Sequence, residues 1–138
     1  MNVTILTAVL ADEKGFDVPS RDAYDVKDEV INSSIYYNGN EFFESDDIKN
    51  AIEATGTKHV LAPTQSDLQK WLRDTHQIRV YPENKTSGMF GFTIYIPTTP
   101  ERRAAQPFER VTYWMQSFRT YEEALEQGLL EGLKLIKL

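Results

Sequence analysis

Thr64-Gln-Ser-Asp-Leu-Gln-Lys-Trp-Leu-Arg73 and Thr120-Tyr-Glu-Glu-Ala-Leu125 bracket the stretch that decides the fold. Each begins with a threonine three residues ahead of an acid. The threonine hydroxyl can accept from the backbone N–H of that third residue, and the acid can reach back to the threonine's own N–H. Both segments therefore read as helix starts. In the first, Leu68, Trp71 and Leu72 fall at i, i+3 and i+4 and define one buried face, with the helix ending near Thr75. In the second, Tyr121, Leu125, Gly128, Leu129, Gly132 and Ile136 share an arc that runs nearly to Leu138.

Three strand-like runs lie between these helices. Gln77–Tyr81 alternates and stops at Pro82. Met89–Ile96 is the strongest and is closed by Pro97, and Phe108–Phe118 is the third. Glu83–Gly88 reads as a turn and Thr98–Pro107 as a long polar connection. The order α-β-β-β-α predicts an α+β fold: a three-stranded antiparallel sheet with helices on one face. The expected domain is residues 63–138, preceded by an acidic extension, residues 1–62, made of an N-terminal helix and a β-hairpin.

Working outward, the first element reads as a helix that Thr4 can cap, with Ile5, Leu6, Val9 and Leu10 as its apolar face; a strand is the competing reading, because Val3–Leu6 is rich in β-branched residues. Gly15 stands where a left-handed residue ends a helix, and Phe16 is placed to fold back on Leu10. Asp17–Ser33 reads as loop with a short ordered piece at Ala23–Val26. Asn38-Gly39, flanked by strand formers, is the strongest hairpin signal. Asp46–Ala54 reads as a short helix with Ile48 and Ile52 on one side.

Period-two alternation sorts the three strands into two faces. One collects Ile78, Val80, Phe90, Phe92, Ile94, Ile96, Val111, Tyr113 and Met115, and is the expected core face. The other collects Arg79, Tyr81, Thr93, Tyr95, Arg110, Thr112, Trp114 and Gln116. Of these, Arg79, Tyr81, Tyr95, Arg110, Trp114 and Gln116 form the candidate binding or interface face. Aromatics interleaved with arginines can stack bases and neutralise phosphates, at about 1–3 kcal/mol per stacked base. The plainer reading is that the face is covered, by the N-terminal half or by a second copy, because a soluble monomer seldom leaves such a patch bare. Gly128 and Gly132 sit in the centre of the last helix's apolar face. Each costs about 1 kcal/mol relative to alanine, so a close approach is expected there, to this domain's own sheet or to a second helix.

Charge is unevenly placed. Residues 1–62 hold 12 acids against 5 bases, whereas residues 77–119 hold 6 bases against 3 acids. The net charge of −6 argues against bulk nucleic-acid binding, and the basic middle softens that argument. The absence of cysteine excludes a thiolate metal site, a disulfide scaffold and a cysteine nucleophile, and fits a cytoplasmic location. No apolar run reaches the roughly 20 residues of a membrane span. His59 and His76 have no ligand at metal spacing, and His76 suits a helix C-terminus. Glu41, Glu44, Asp46 and Asp47 lack the glycine and closing glutamate of a calcium loop. No catalytic residue, metal site or cofactor is therefore expected.

Three segments carry a resemblance: Glu13-Lys-Gly-Phe-Asp17, Ala62-Pro-Thr-Gln-Ser66 with Leu68-Gln-Lys-Trp-Leu-Arg73, and Thr120-Tyr-Glu-Glu-Ala-Leu125. Together they resemble small uncharacterised proteins encoded by phages and prophages of gut anaerobic bacteria. The resemblance covers the first helix and most of Ala62–Leu138, and it implies a mobile-element origin and a cytoplasmic location. The α-β-β-β-α order also resembles double-stranded RNA-binding domains in topology. Glu122 and Glu123 stand where those domains carry phosphate-gripping lysines, so that mode of binding is not carried over.

The expected function is a non-enzymatic binding or regulatory module that self-associates as a homo-oligomer or meets a protein partner. One alternative is nucleic-acid binding through the open sheet face. The other is an acidic decoy or inhibitor of a host nucleic-acid enzyme, acting through the first half. No membrane partner is expected.

Overall fold

The computed structural model describes residues 1–33, 42–98, 106–112 and 116–136. The chain forms two compact units, Met1–Asp67 and Leu68–Leu138. The division falls in the first turn of a helix rather than at residue 62. The cause is local: Val3 N–H donates to the Pro63 carbonyl at 3.0 Å and Gln65 N–H to the Met1 carbonyl at 2.8 Å, which ties residues 63–65 to the first unit.

The first unit contains α1 (Ile5–Glu13), β1 (Asp22–Asp25), β2 (Val30–Ser33), α2 (Ser45–Thr55) and β3 (His59–Ala62). The strands form an antiparallel sheet in the order β2-β1-β3, with Ala23 opposite both Asn32 and Leu61. Both helices pack on β3, and all four β3 residues are buried. A fully buried strand shows no alternation, which is why His59–Ala62 does not announce itself as one.

Two expectations need correction here. The β1–β2 hairpin lies within a segment read mostly as loop. Asp25 makes the turn: its Oδ1 accepts from the N–H groups of Lys27 at 3.1 Å and Asp28 at 3.3 Å. Glu29, not a glycine, then takes the left-handed backbone at φ 56°. The Asn38-Gly39 turn lies outside the described residues. The second correction concerns α1. Thr4 caps it as expected, its hydroxyl accepting from Thr7 N–H at 3.4 Å, and Gly15 has φ 92°. The buried residues, however, are Thr7, Ala8 and Ala11, while Leu6 is 64% exposed. The helix is apolar almost all round, so periodicity could not choose a face. Small side chains let the helix axis come close to β3, and that contact decides.

The second unit has the predicted order: α3 (Gln65–His76), β4 (Arg79–Asn84), β5 (Phe90–Pro97), β6 (Phe108–Thr112) and α4 (Tyr121–Lys134). Its sheet is antiparallel in the order β4-β5-β6. Both caps form: Thr64 Oγ1 accepts from Asp67 N–H at 3.1 Å, and Thr120 Oγ1 from Glu123 N–H at 3.1 Å. Leu68, Trp71 and Leu72 are buried, as are Ile78, Val80, Phe92 and Ile94 of the core face. Phe90, Ile96 and Val111 are half-buried, and Tyr113 and Met115 lie outside the described residues.

β4 does not stop at Pro82 but runs through it to Asn84. It is an edge strand, so the missing N–H removes no bond from an inner ladder. The Gln69 side chain also donates to the Val80 carbonyl at 2.6 Å. Gln69 and Pro82 together blunt this edge against strand addition.

The α4 glycines meet the sheet of their own unit. A Cβ built on Gly128 would lie 2.7 Å from Val80 Cγ1 and 3.1 Å from the Phe92 ring. A Cβ on Gly132 would lie 3.1 Å from Val80 Cγ2. These glycines are explained by close packing on β4 and β5, without a second helix. Tyr121, placed on the buried arc by spacing, is 46% exposed, whereas Ala124 and Leu133 are fully buried. The buried stripe is therefore shifted by part of a turn.

Candidate functional site

The outer face of the β4-β5-β6 sheet brings together most of the residues singled out by alternation. Arg79 stands opposite Tyr95, and Tyr95 opposite Arg110, forming one row across all three strands. Tyr81 stands opposite Thr93 in the next row, and Glu83 opposite Gly91 beyond it. Residues directly opposite share a face of the sheet. Tyr81 and Tyr95 meet edge to face, with ring centroids 6.0 Å apart.

This face is largely occupied by its own side chains. Thr93 Oγ1 donates to Glu83 Oε1 at 2.6 Å and accepts from Arg110 Nη2 at 3.3 Å. Arg110 and Glu83 form an ion pair at 3.7 Å, both about half exposed. Thr93 beneath them is 1% exposed, so the centre of the face is roofed rather than open. The Arg79 guanidinium lies 4.2 Å over the Phe108 ring. At the far end Lys85 crosses Gly91. Its Nζ donates to the Gln116 carbonyl and, at 3.0 Å, to Ser117 Oγ. A Cβ on Gly91 would meet Lys85 Cε at 2.7 Å, so a side chain there would shift the flexible end of the lysine.

Tyr81, at 41% exposure, and Arg110 are the accessible members of the set, while Arg79, Tyr95 and Gln116 are half-buried. Arg79 Nε and Gln116 Oε1 are shielded and have no hydrogen-bond partner among the described residues. Trp114 lies outside the described residues.

The first unit carries a feature that sequence reasoning missed. A cavity of about 330 Å³ lies among the end of α1, one side of α2 and the start of β3. Phe16, Ile48 and Leu61 supply buried apolar walls, and Ile52 is 38% exposed. Asp12, Asp17, Lys49 and Lys58 bring charge to it. Burial raises the Asp12 carboxyl above its ordinary value. Lys58 pulls the other way, and Glu13 adds to the rise. His59 also lines the cavity. It is anchored by a 3.0 Å contact between Nδ1 and the Thr57 carbonyl, with Asp25 3.9 Å from Nε2. These residues are scattered between positions 12 and 61, and no spacing rule links them. The spacing of Ile48 and Ile52 on α2 was the one legible signal.

Glu44 and Asp47, weighed as part of an acidic cluster, act at the start of α2, where Asp47 Oδ2 accepts from Glu44 N–H at 2.9 Å. His76 ends α3 with its ring edge-on to Trp71 at 4.8 Å. Among the described residues no group of three His, Cys, Asp or Glu side chains could hold a metal ion, and no helix is long and apolar enough to cross a membrane. Comparison with protein-family models, curated proteins and solved structures finds no match to this chain.

Proposed function

We propose that this chain is a non-enzymatic binding module, self-associating or joined to a protein partner through the outer face of the β4-β5-β6 sheet. One observation carries the reading. Among the described residues, the accessible part of that face is Tyr81 beside a preformed Arg110–Glu83 pair. Tyrosine and arginine are the residues that supply binding energy at protein interfaces, and a pair already held in place loses little freedom on docking. The same pairing weakens the nucleic-acid reading. Arg110 is already matched by a carboxylate and Arg79 lies on Phe108, so neither is an uncommitted phosphate partner. The motif resemblance supports a phage or prophage origin and a cytoplasmic setting within the same reading. The acidic decoy remains a second use of the −7 charge of residues 1–62.

The test is a sedimentation-equilibrium series on the wild type and on Tyr81→Ala and Arg110→Ala. Mass that rises with concentration in the wild type and falls back to monomer in the variants supports self-association through this face. Monomer throughout, with retention of a host protein that both variants abolish, supports a separate protein partner. Salt-dependent fluorescence quenching by single-stranded oligonucleotides, lost in Arg110→Ala, would replace both readings with nucleic-acid binding.

A further inference from the structure

We propose that the cavity of the first unit binds a small zwitterion on an apolar body, the chemistry of a free apolar or aromatic α-amino acid. At about 330 Å³ it falls at the lower end of the range of about 300–1,000 Å³ over which small-molecule sites occur. Its walls divide by chemistry. Phe16, Ile48 and Leu61 form a mostly buried apolar floor, and Ile52, 38% exposed, adds accessible apolar surface beside it. Gly15 lies at the exposed rim.

The charged groups decide the ligand's head. Two acids, Asp12 and Asp17, face the same space as two lysines, Lys49 and Lys58. The two acids and the two lysines cancel. A lone anion would gain the lysines but meet both acids, and a lone cation would meet the reverse. A ligand carrying an ammonium and a carboxylate on one carbon satisfies both sets. Lys49 and Asp17 make no side-chain hydrogen bond or ion pair among the described residues, so their capacity is available to such a ligand. Burial holds the Asp12 carboxyl above its ordinary range, and a ligand ammonium beside it would favour the ionised form. His59 is anchored on the Thr57 carbonyl and serves as wall.

Isothermal titration calorimetry with L-phenylalanine, L-leucine, phenylacetate and phenethylamine tests the proposal. Saturable binding of the two amino acids is expected. Phenylacetate and phenethylamine, each with a single charge, should bind at least about tenfold more weakly, equivalent to about 1.4 kcal/mol. Lys49→Gln changes an exposed side chain and should weaken L-phenylalanine by a similar factor while leaving the thermal midpoint unchanged. Amide NMR shifts on adding L-phenylalanine should centre on Gly15 and Ile52. No saturable heat from either amino acid at high millimolar concentration would overturn the proposal. So would equal binding of the single-charge analogues, or shifts confined to residues away from the cavity.

Discussion

Gly128 of α4 lies directly against Val80 of β4, so close that a methyl group on the glycine would stand 2.7 Å from Val80 Cγ1. Val80 is fully buried and cannot swing aside. Helix propensity favours alanine over glycine by about 1 kcal/mol. Overpacking a filled core costs about 1–3 kcal/mol, and the contact distance puts this site in that range. Gly128→Ala is expected to lower stability. Gly132→Ala, where the closest approach is 3.1 Å, should be nearly neutral. Chemical denaturation of the two variants side by side gives the order, and equal midpoints would mean that α4 stands farther from β4.

Trp71 anchors the inner face of α3. It is 7% exposed and its ring meets the edge of His76. Trp71→Ala should cost about 3–5 kcal/mol, the usual consequence of emptying a large core site. The thermal midpoint measures this, and an unchanged midpoint would place the tryptophan outside the core.

The caps are separable from the core. Thr64→Ala and Thr120→Ala each leave a helix N–H without the hydroxyl that now accepts from it at 3.1 Å. Each should lose about 1 kcal/mol in urea unfolding. Serine at either position should recover most of the loss.

Asp12 gives a pH signature. Its folded-state pKa is raised above 3.8, chiefly by burial, so folding favours the protonated acid. That contribution is fully present below pH 3.8 and is lost as pH rises through the folded value. Asp12→Asn mimics the protonated form. It should raise the thermal midpoint at neutral pH, and the gain should vanish in acid. The effect is small, because the side chain remains partly in water. A gain independent of pH would assign the change to something other than ionisation.

The α-β-β-β-α order was legible because its signals are local. Thr64 and Thr120 announce their helices within four residues, and Leu68, Trp71 and Leu72 fix a face within five. The β1–β2 hairpin was not, because its turn rests on the Asp25 carboxylate and on Glu29 in a glycine-like backbone. Neither shows in composition. The buried face of α1 was hidden for a different reason. Apolar residues surround the helix, and only contact with β3 selects Thr7, Ala8 and Ala11. Within the candidate sheet face, alternation placed Arg79, Tyr95 and Arg110 on one side of the sheet, and the strand register sets them in one row. Alternation could not foresee that Glu83, two residues beyond Tyr81 on the same face, would neutralise Arg110. The cavity was illegible because its walls come from three elements far apart in the chain.

The Lys85 stem lying over Gly91, with its ammonium on the Gln116 carbonyl, links the identities of two positions. Any side chain acquired at 91 must shift the flexible end of the lysine. A shorter residue at 85 leaves 91 free to vary. The two sites are therefore expected to drift together among descendants of this chain: a side chain at 91 is easier to admit where 85 is shorter than lysine.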